Sequence, residues 1–271
     1  MFRPPVPPLP VYIINMDKDT KRWNTVSKRF IDKGFAPIRR RGYDVSRMDL
    51  SSYVTKGSSN GIIGCALSHI EIWKEFLRSN NEYVLIAEDD AAPLFESEYV
   101  RNVISQAPRD ADFIHLGCDI ACSDSSFVDK LLNRFYTRCI PKDVNSHMTQ
   151  IQWIAGTHAY YLTREGATKL LTHIRNNLSV HIDFQMSNVP GLVKYGTKPI
   201  LISYDVTGVC TSNISNKDRW KCIFDKVIIA GNRTLGYILF TPVLYGLDIF
   251  SMLCICICVI FGFYGVRNCW M

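Results

Sequence analysis

Short apolar runs that alternate with amphipathic stretches constrain this chain more than any other feature. Residues 11–16 (VYIINM) are apolar and give way at once to polar residues. Trp23, Val26 and Phe30 then fall at helical spacing, with Asp17 and Thr20 as capping candidates and Gly34 as the stop. Residues 65–79 carry a second helical stripe of Ala66, Ile70, Trp73 and Leu77. Residues 83–87 (YVLIA) form a β-rich run that ends in Glu88-Asp89-Asp90. Residues 112–117, 158–162 and 199–204 are further strand candidates, and Ala167, Leu170, Leu171 and Ile174 make a third helical stripe. Strand and helix in alternation predict an α/β layered fold with a mostly parallel central sheet. No repeat or low-complexity linker interrupts residues 11–233, which read as one domain of catalytic size.

Composition narrows the function. The chain has 271 residues, a formal charge of +6, 47% hydrophobic and 21% charged residues, which is a globular balance. The positive excess is small and has no basic run, so no nucleic-acid partner is expected. Ten cysteines contain no CxxC pair, which disfavours a zinc ribbon or a thioredoxin-type centre. Cys118 and Cys122 are spaced too weakly for metal, and the cysteines read as reduced structural thiols.

The two ends differ. Residues 1–10 (MFRPPVPPLP) are too proline-rich for an apolar signal helix and read as a stiff extended leader, with a PxxP docking motif as the alternative. Near the other end, residues 249–264 (IFSMLCICICVIFGFY) carry no charge. The segment 246–266 is expected to be a single-pass transmembrane anchor, the alternative being a buried amphipathic helix. Lys217, Arg219, Lys221, Lys226 and Arg233 precede it and only Arg267 follows, which puts the body on the cytoplasmic side of the membrane. The sequons at Asn177, Asn213 and Asn232 are read as unused, and the Cys-Ile-Cys-Ile-Cys run as lipid-facing.

Two clusters carry chemistry. Glu88-Asp89-Asp90 stands where an apolar strand ends, the place where α/β folds hold ligands. Extended geometry points Glu88 and Asp90 the same way, and adjacent carboxylates repel unless a cation lies between them. Hard oxygen ligands suit Mg²⁺ or Mn²⁺, and the alternative is a solvated acidic turn. In Gly61-Ile-Ile-Gly64-Cys65-Ala-Leu-Ser68-His69, glycines run into a helix start whose free N–H groups would meet a phosphate, with Ser68 and His69 in the first turn. A structural, hydrogen-bonding His69 is the alternative.

As a set, these pieces resemble glycosyltransferase family 25. The resemblance rests on Asn15-Met-Asp17…Arg22, on Gly61-x-x-Gly64-Cys65-x-x-Ser68-His69-x-x-x-Trp73, and on Leu85-Ile-Ala-Glu88-Asp89-Asp90. It continues through Gly156-Thr-His-Ala159-Tyr160-Tyr161, Gly166-Ala167 and Ile182-Asp183, and covers residues 11–215 or so. Met16 and Lys18 stand where the family usually has Leu and Arg.

The resemblance implies a GT-A-like nucleotide-sugar domain and an inverting hexosyltransferase. A UDP-sugar such as UDP-galactose or UDP-glucose would be the donor, and a glycan, glycolipid or hydroxylated protein the acceptor. Mn²⁺ or Mg²⁺ would sit on Glu88, Asp89 or Asp90. Asn15, Asp17, Arg22, Gly64, Ser68 and His69 would meet the nucleotide, with a turn cap as the other reading of Asp17. Asp183, with His181 on the same strand face, is the first candidate for the base that deprotonates the acceptor, and a helix cap is its equal alternative. Asp119 is the second candidate. The competing functions are a non-catalytic binding module on the same fold and a metal-dependent phosphohydrolase.

Overall fold

A computed structural model describes residues 11–55, 58–118, 141–174, 176 and 178–204. The proline-rich leader, Asp119, the three sequons and the apolar segment 246–266 lie outside the described residues. Among the described residues no helix is long and apolar enough to cross a membrane.

In chain order the elements are β1 (Val11–Asn15), α1 (Thr20–Asp32), β2 (Pro37–Arg41), α2 (Asn60–Arg78), β3 (Tyr83–Glu88), β4 (Ala91–Pro93) and α3 (Ser97–Ser105). Then come β5 (Phe113–His115), β6 (Lys142–Asp143), β7 (Met148–Gln150), β8 (Ala159–Thr163), α4 (Arg164–Ile174), α5 (Ile182–Ser187), β9 (Lys194–Thr197) and β10 (Ile202–Tyr204). Eight strands form one sheet in the order β2-β1-β3-β8-β5-β9-β7-β6, and β10 pairs with β4 in a small second sheet.

The α/β reading holds, and the mostly parallel sheet does not. β1, β2 and β3 run parallel, as do β5 and β9. β8 lies antiparallel between β3 and β5, and β7 pairs antiparallel with both β9 and β6. The sheet is therefore mixed. Periodicity identifies β8 as a buried strand but carries no sign of its direction, because a strand buried on both faces reads as one apolar run either way.

Both faces of the sheet are covered. Val84 and Ile86 of β3 point into one apolar cluster, with Trp73 and Phe76 of α2, Leu170 of α4 and Met186 of α5. Leu85 and Ala87 point into the other, with Val26 and Phe30 of α1 and Val100, Val103 and Ile104 of α3. The alternation follows from the two-residue period of a strand. Burial of this kind contributes about 25 cal/mol per Å² of apolar surface.

The unforeseen strands lack apolar runs. β2 reads PIRRR and is the edge of the sheet, where arginines discourage further strand pairing. Residues 182–187 form a helix, so His181 and Asp183 share no strand face: His181 precedes α5 and Asp183 lies in its first turn. One thiol reading is also corrected, since Cys118 is disulfide-bonded while Cys65 is free.

Candidate active site

The carboxyl ends of β1 and β3 and the amino-terminal half of α2 enclose a cleft of about 340 Å³. Asn15, Arg22, Gly64, Ser68, His69, Glu88, Asp89 and Asp90 all line it, so most of the residues singled out in the sequence converge. β1 and β3 are parallel neighbours with Ile14 opposite Glu88, which places their ends side by side. Lys18, Tyr43 and Cys65 are also in the lining.

The three acids occupy three environments. Asp89 is bound by Arg22, and its Oδ2 accepts a 2.7 Å hydrogen bond from Asn15 Nδ2. Burial raises its pKa against the pull of Arg22 and Asn15. Glu88 Oε1 accepts a 2.6 Å hydrogen bond from Thr157 and lies 3.6 Å from His69 Nε2. Burial pushes the Glu88 carboxyl up, but His69, Thr157 and His158 more than offset this and hold it ionised. Asp90 has Arg22 only at 3.8 Å, and its buried Oδ1 has no hydrogen-bond partner among the described residues. Burial and the charge of Glu88 raise the Asp90 pKa.

This arrangement fits a divalent cation at Glu88 and Asp90. Two half-buried carboxylates face one cleft, and a buried oxygen of one of them lacks a partner among the described residues, a state that costs about 1–3 kcal/mol. Asp89 is the least suited of the three to ligate, because Arg22 and Asn15 occupy both its oxygens.

The glycine-rich segment works differently from the expectation. α2 begins at Asn60, capped by Ser59, whose side chain accepts the N–H of Ile62. Ser68 and His69 therefore lie two turns into the helix, and Gly64 lies inside it. A Cβ on Gly64 would come within 2.5 Å of the Tyr43 carbonyl oxygen. Ser68 Oγ accepts the Tyr43 N–H at 2.9 Å and donates to the Gly64 carbonyl at 2.6 Å. Gly64 and Ser68 thus fasten the segment after β2 against α2 and shape the cleft wall.

His69 is fully buried. Its Nδ1 is 2.8 Å from the Tyr160 hydroxyl, whose oxygen also accepts the Trp73 Nε1–H at 2.9 Å. Burial raises the Tyr160 pKa, so this hydroxyl stays protonated.

Two expected residues stand apart from the cleft lining. Asp17 pairs with Arg41 at 2.7 Å and Arg39 at 3.5 Å. Asp183 accepts the N–H of Gly156 at 2.9 Å and its neighbour Phe184 at 2.8 Å. These bonds tie the first turn of the helix to Gly156, whose φ is +78°. Thr157, which orients Glu88, was not singled out from the sequence. Its signal is its place beside the Gly156-x-His158 segment, legible only once β8 is known to lie next to β3.

Comparisons with known proteins identify the family. A model described as "Glycosyltransferase family 25 (LPS biosynthesis protein)" matches residues 9–186. The chain is 27% identical over 182 residues to a glycosyltransferase 25 family member of Anopheles gambiae, covering 59% of this chain and 28% of that protein. It is 27% identical over 125 residues to procollagen galactosyltransferase 2 of Mus musculus, covering 44% of this chain and 18% of that protein. These matches span less than a third of either relative. Among solved structures, a glycosyltransferase involved in glycosylation of the major capsid of PBCV-1 aligns with a TM-score of 0.32 at 7% identity, covering 62% of this chain and 67% of that one. A likeness that loose carries no weight. The family match spans more than half of the chain, from β1 through α5, and takes in the whole cleft: the chain belongs to glycosyltransferase family 25.

Proposed function

We propose that this chain is an inverting, cation-dependent glycosyltransferase with a GT-A-like domain, moving a hexose from a UDP-sugar to a glycan, glycolipid or protein hydroxyl. The observation that carries the reading is the convergence of Arg22, Glu88 and Asp90 on one cleft at the ends of parallel strands, in a chain of this family. Glu88 and Asp90 would hold Mn²⁺ or Mg²⁺, which when bound neutralises the diphosphate as the sugar C–O bond breaks.

The chain's own residues do the remaining work. Arg22 ties Asp89 to α1, and Asn15 ties it to β1, so the acidic turn is rigid before any ligand arrives. Thr157 orients Glu88 by donating to it. Lys18, in the cleft lining, offers a cation to a phosphate oxygen. An acceptor hydroxyl must lose its proton to a base opposite the leaving group. Asp119 is the proposed base, because Asp183 holds backbone N–H groups with both of its oxygens. Attachment to a membrane through residues 246–266 completes the proposal.

The test is calorimetric titration of the full chain with UDP, with and without Mn²⁺. Binding of UDP that requires Mn²⁺ and is lost in Asp90→Asn supports the proposal. UDP binding that ignores both the cation and the substitution contradicts it.

A further inference from the structure

We infer that Cys65, His69 and Glu88 form a binding site for a transition-metal ion of the zinc class. The inference does not depend on glycosyl transfer.

Cys65 and His69 are four residues apart on α2, so their side chains rise on one face of the helix. Glu88 comes to meet them from the end of β3. One ligand atom from each, a thiol sulfur, an imidazole nitrogen and a carboxylate oxygen, lies within 4.8 Å of the others. Ligands around a tetrahedral zinc at about 2.0–2.3 Å sit closer together than that, so rotamer adjustments close the set. Three protein ligands leave a fourth position open to the cleft that Cys65, His69 and Glu88 all line.

A second observation is independent of this spacing. His69 is fully buried, and its Nε2 has no hydrogen-bond partner among the described residues. At 3.6 Å the Glu88 oxygen is too far for a hydrogen bond. The nitrogen aimed at Glu88 is therefore a buried polar atom left without a hydrogen bond. The partners behind the ligands also suit a metal. The Tyr160 hydroxyl, 2.8 Å from Nδ1, holds the His69 ring with Nε2 toward Glu88, and Thr157 fixes Glu88.

Ligand chemistry chooses the ion. Thiolate and imidazole favour zinc and cobalt over manganese and magnesium. On binding, a sulfur–metal bond forms and the Cys65 S–H bond breaks, with the proton released to solvent and no change in oxidation state. Thiolate and carboxylate then balance the two positive charges of the ion.

The test uses the full chain stripped with chelator and titrated with Co²⁺, read by thiolate-to-cobalt charge-transfer absorption. The expected result is a band that saturates at one equivalent, is discharged by Zn²⁺, is abolished in Cys65→Ser and persists in Asp90→Asn. Circular dichroism establishes that Cys65→Ser is folded. Should that variant not fold, the wild-type chain still decides: Zn²⁺ must protect Cys65 from alkylation, and equimolar Mn²⁺ must not. A band that survives Cys65→Ser, the absence of any band, or alkylation of Cys65 unaffected by Zn²⁺ overturns the inference. Persistence in Asp90→Asn distinguishes this site from the cation pocket of the proposed enzyme, with which it shares Glu88.

Discussion

Asn15 Nδ2 donates to Asp89 Oδ2 at 2.7 Å, and this bond joins the ends of two parallel strands that lie 74 residues apart in sequence. Its partner on the other side, Arg39, donates to Asn15 Oδ1 at 2.9 Å from the edge strand β2. One buried amide therefore links three neighbouring strands and holds the central acid of the cluster. Asn15→Leu removes a partner from a buried carboxylate. It is expected to cost about 1–3 kcal/mol, read as a lower urea midpoint.

Arg164 fastens the far end of the helix that carries Cys65 and His69. Its Nη1 donates to the carbonyls of Ser79 at 2.8 Å and Asn81 at 3.1 Å, and its Nη2 to Leu77 at 2.6 Å. These are the unpaired carbonyls at and just beyond the α2 terminus, where a cation is favoured. Arg164→Ala is expected to destabilise the fold by roughly 2 kcal/mol, and Arg164→Lys by less than that but measurably, because one ammonium nitrogen replaces the two guanidinium nitrogens that reach these carbonyls. Thermal melts of the two variants check this.

His115 sets an acid limit on stability. Its buried ring donates through Nε2 toward the carbonyls of Gly156 at 3.1 Å and Ala155 at 3.2 Å, and its Nδ1 accepts the Gly117 N–H at 3.2 Å. Burial, aided by His158, lowers its pKa to about 3. The unfolded chain therefore takes up the proton first. Its contribution is intact above a pH of about 6.5 and falls by about 1.4 kcal/mol per pH unit as the pH drops toward the folded value. Urea unfolding between pH 7 and pH 5 should show a shallower loss for His115→Gln than for the wild type, whatever the two stabilities are at pH 7.

Asp183 and Asp119 should separate by readout. Asp183→Asn loses an acceptor for Gly156 or Phe184, so the melting temperature should fall, and any loss of activity should follow the loss of fold. Asp119→Asn should lower kcat by about a hundredfold or more, beyond what any change in its melt accounts for. A purely kinetic loss in Asp183→Asn, with none in Asp119→Asn, would return the base to Asp183.

Much of the site was legible because its residues are chemically unusual where they stand. Three acids after an apolar strand, and a Gly-Cys-x-x-Ser-His run before a helical stripe, are visible without coordinates, and both line the cleft. The exact role of each residue was not legible. Gly64 reads as a phosphate glycine, yet the Tyr43 carbonyl explains it, and nothing local marks Tyr43 as its neighbour. The buried Lys194 in β9 and the arginines of β2 hide strands from an apolar pattern, since their pairing is set by distant partners. The direction of β8 depends on the chain path between β5 and β8, part of which lies outside the described residues.

The most direct measurement is UDP release from a panel of UDP-sugars by the full chain, without acceptor, since donor hydrolysis needs no knowledge of the acceptor. The account predicts release from one UDP-hexose that requires Mn²⁺ or Mg²⁺, stops with chelator and falls roughly a hundredfold in Asp90→Asn. Release that is indifferent to chelator and to Asp90→Asn, or no release from any UDP-sugar in the presence of the cation, would contradict it.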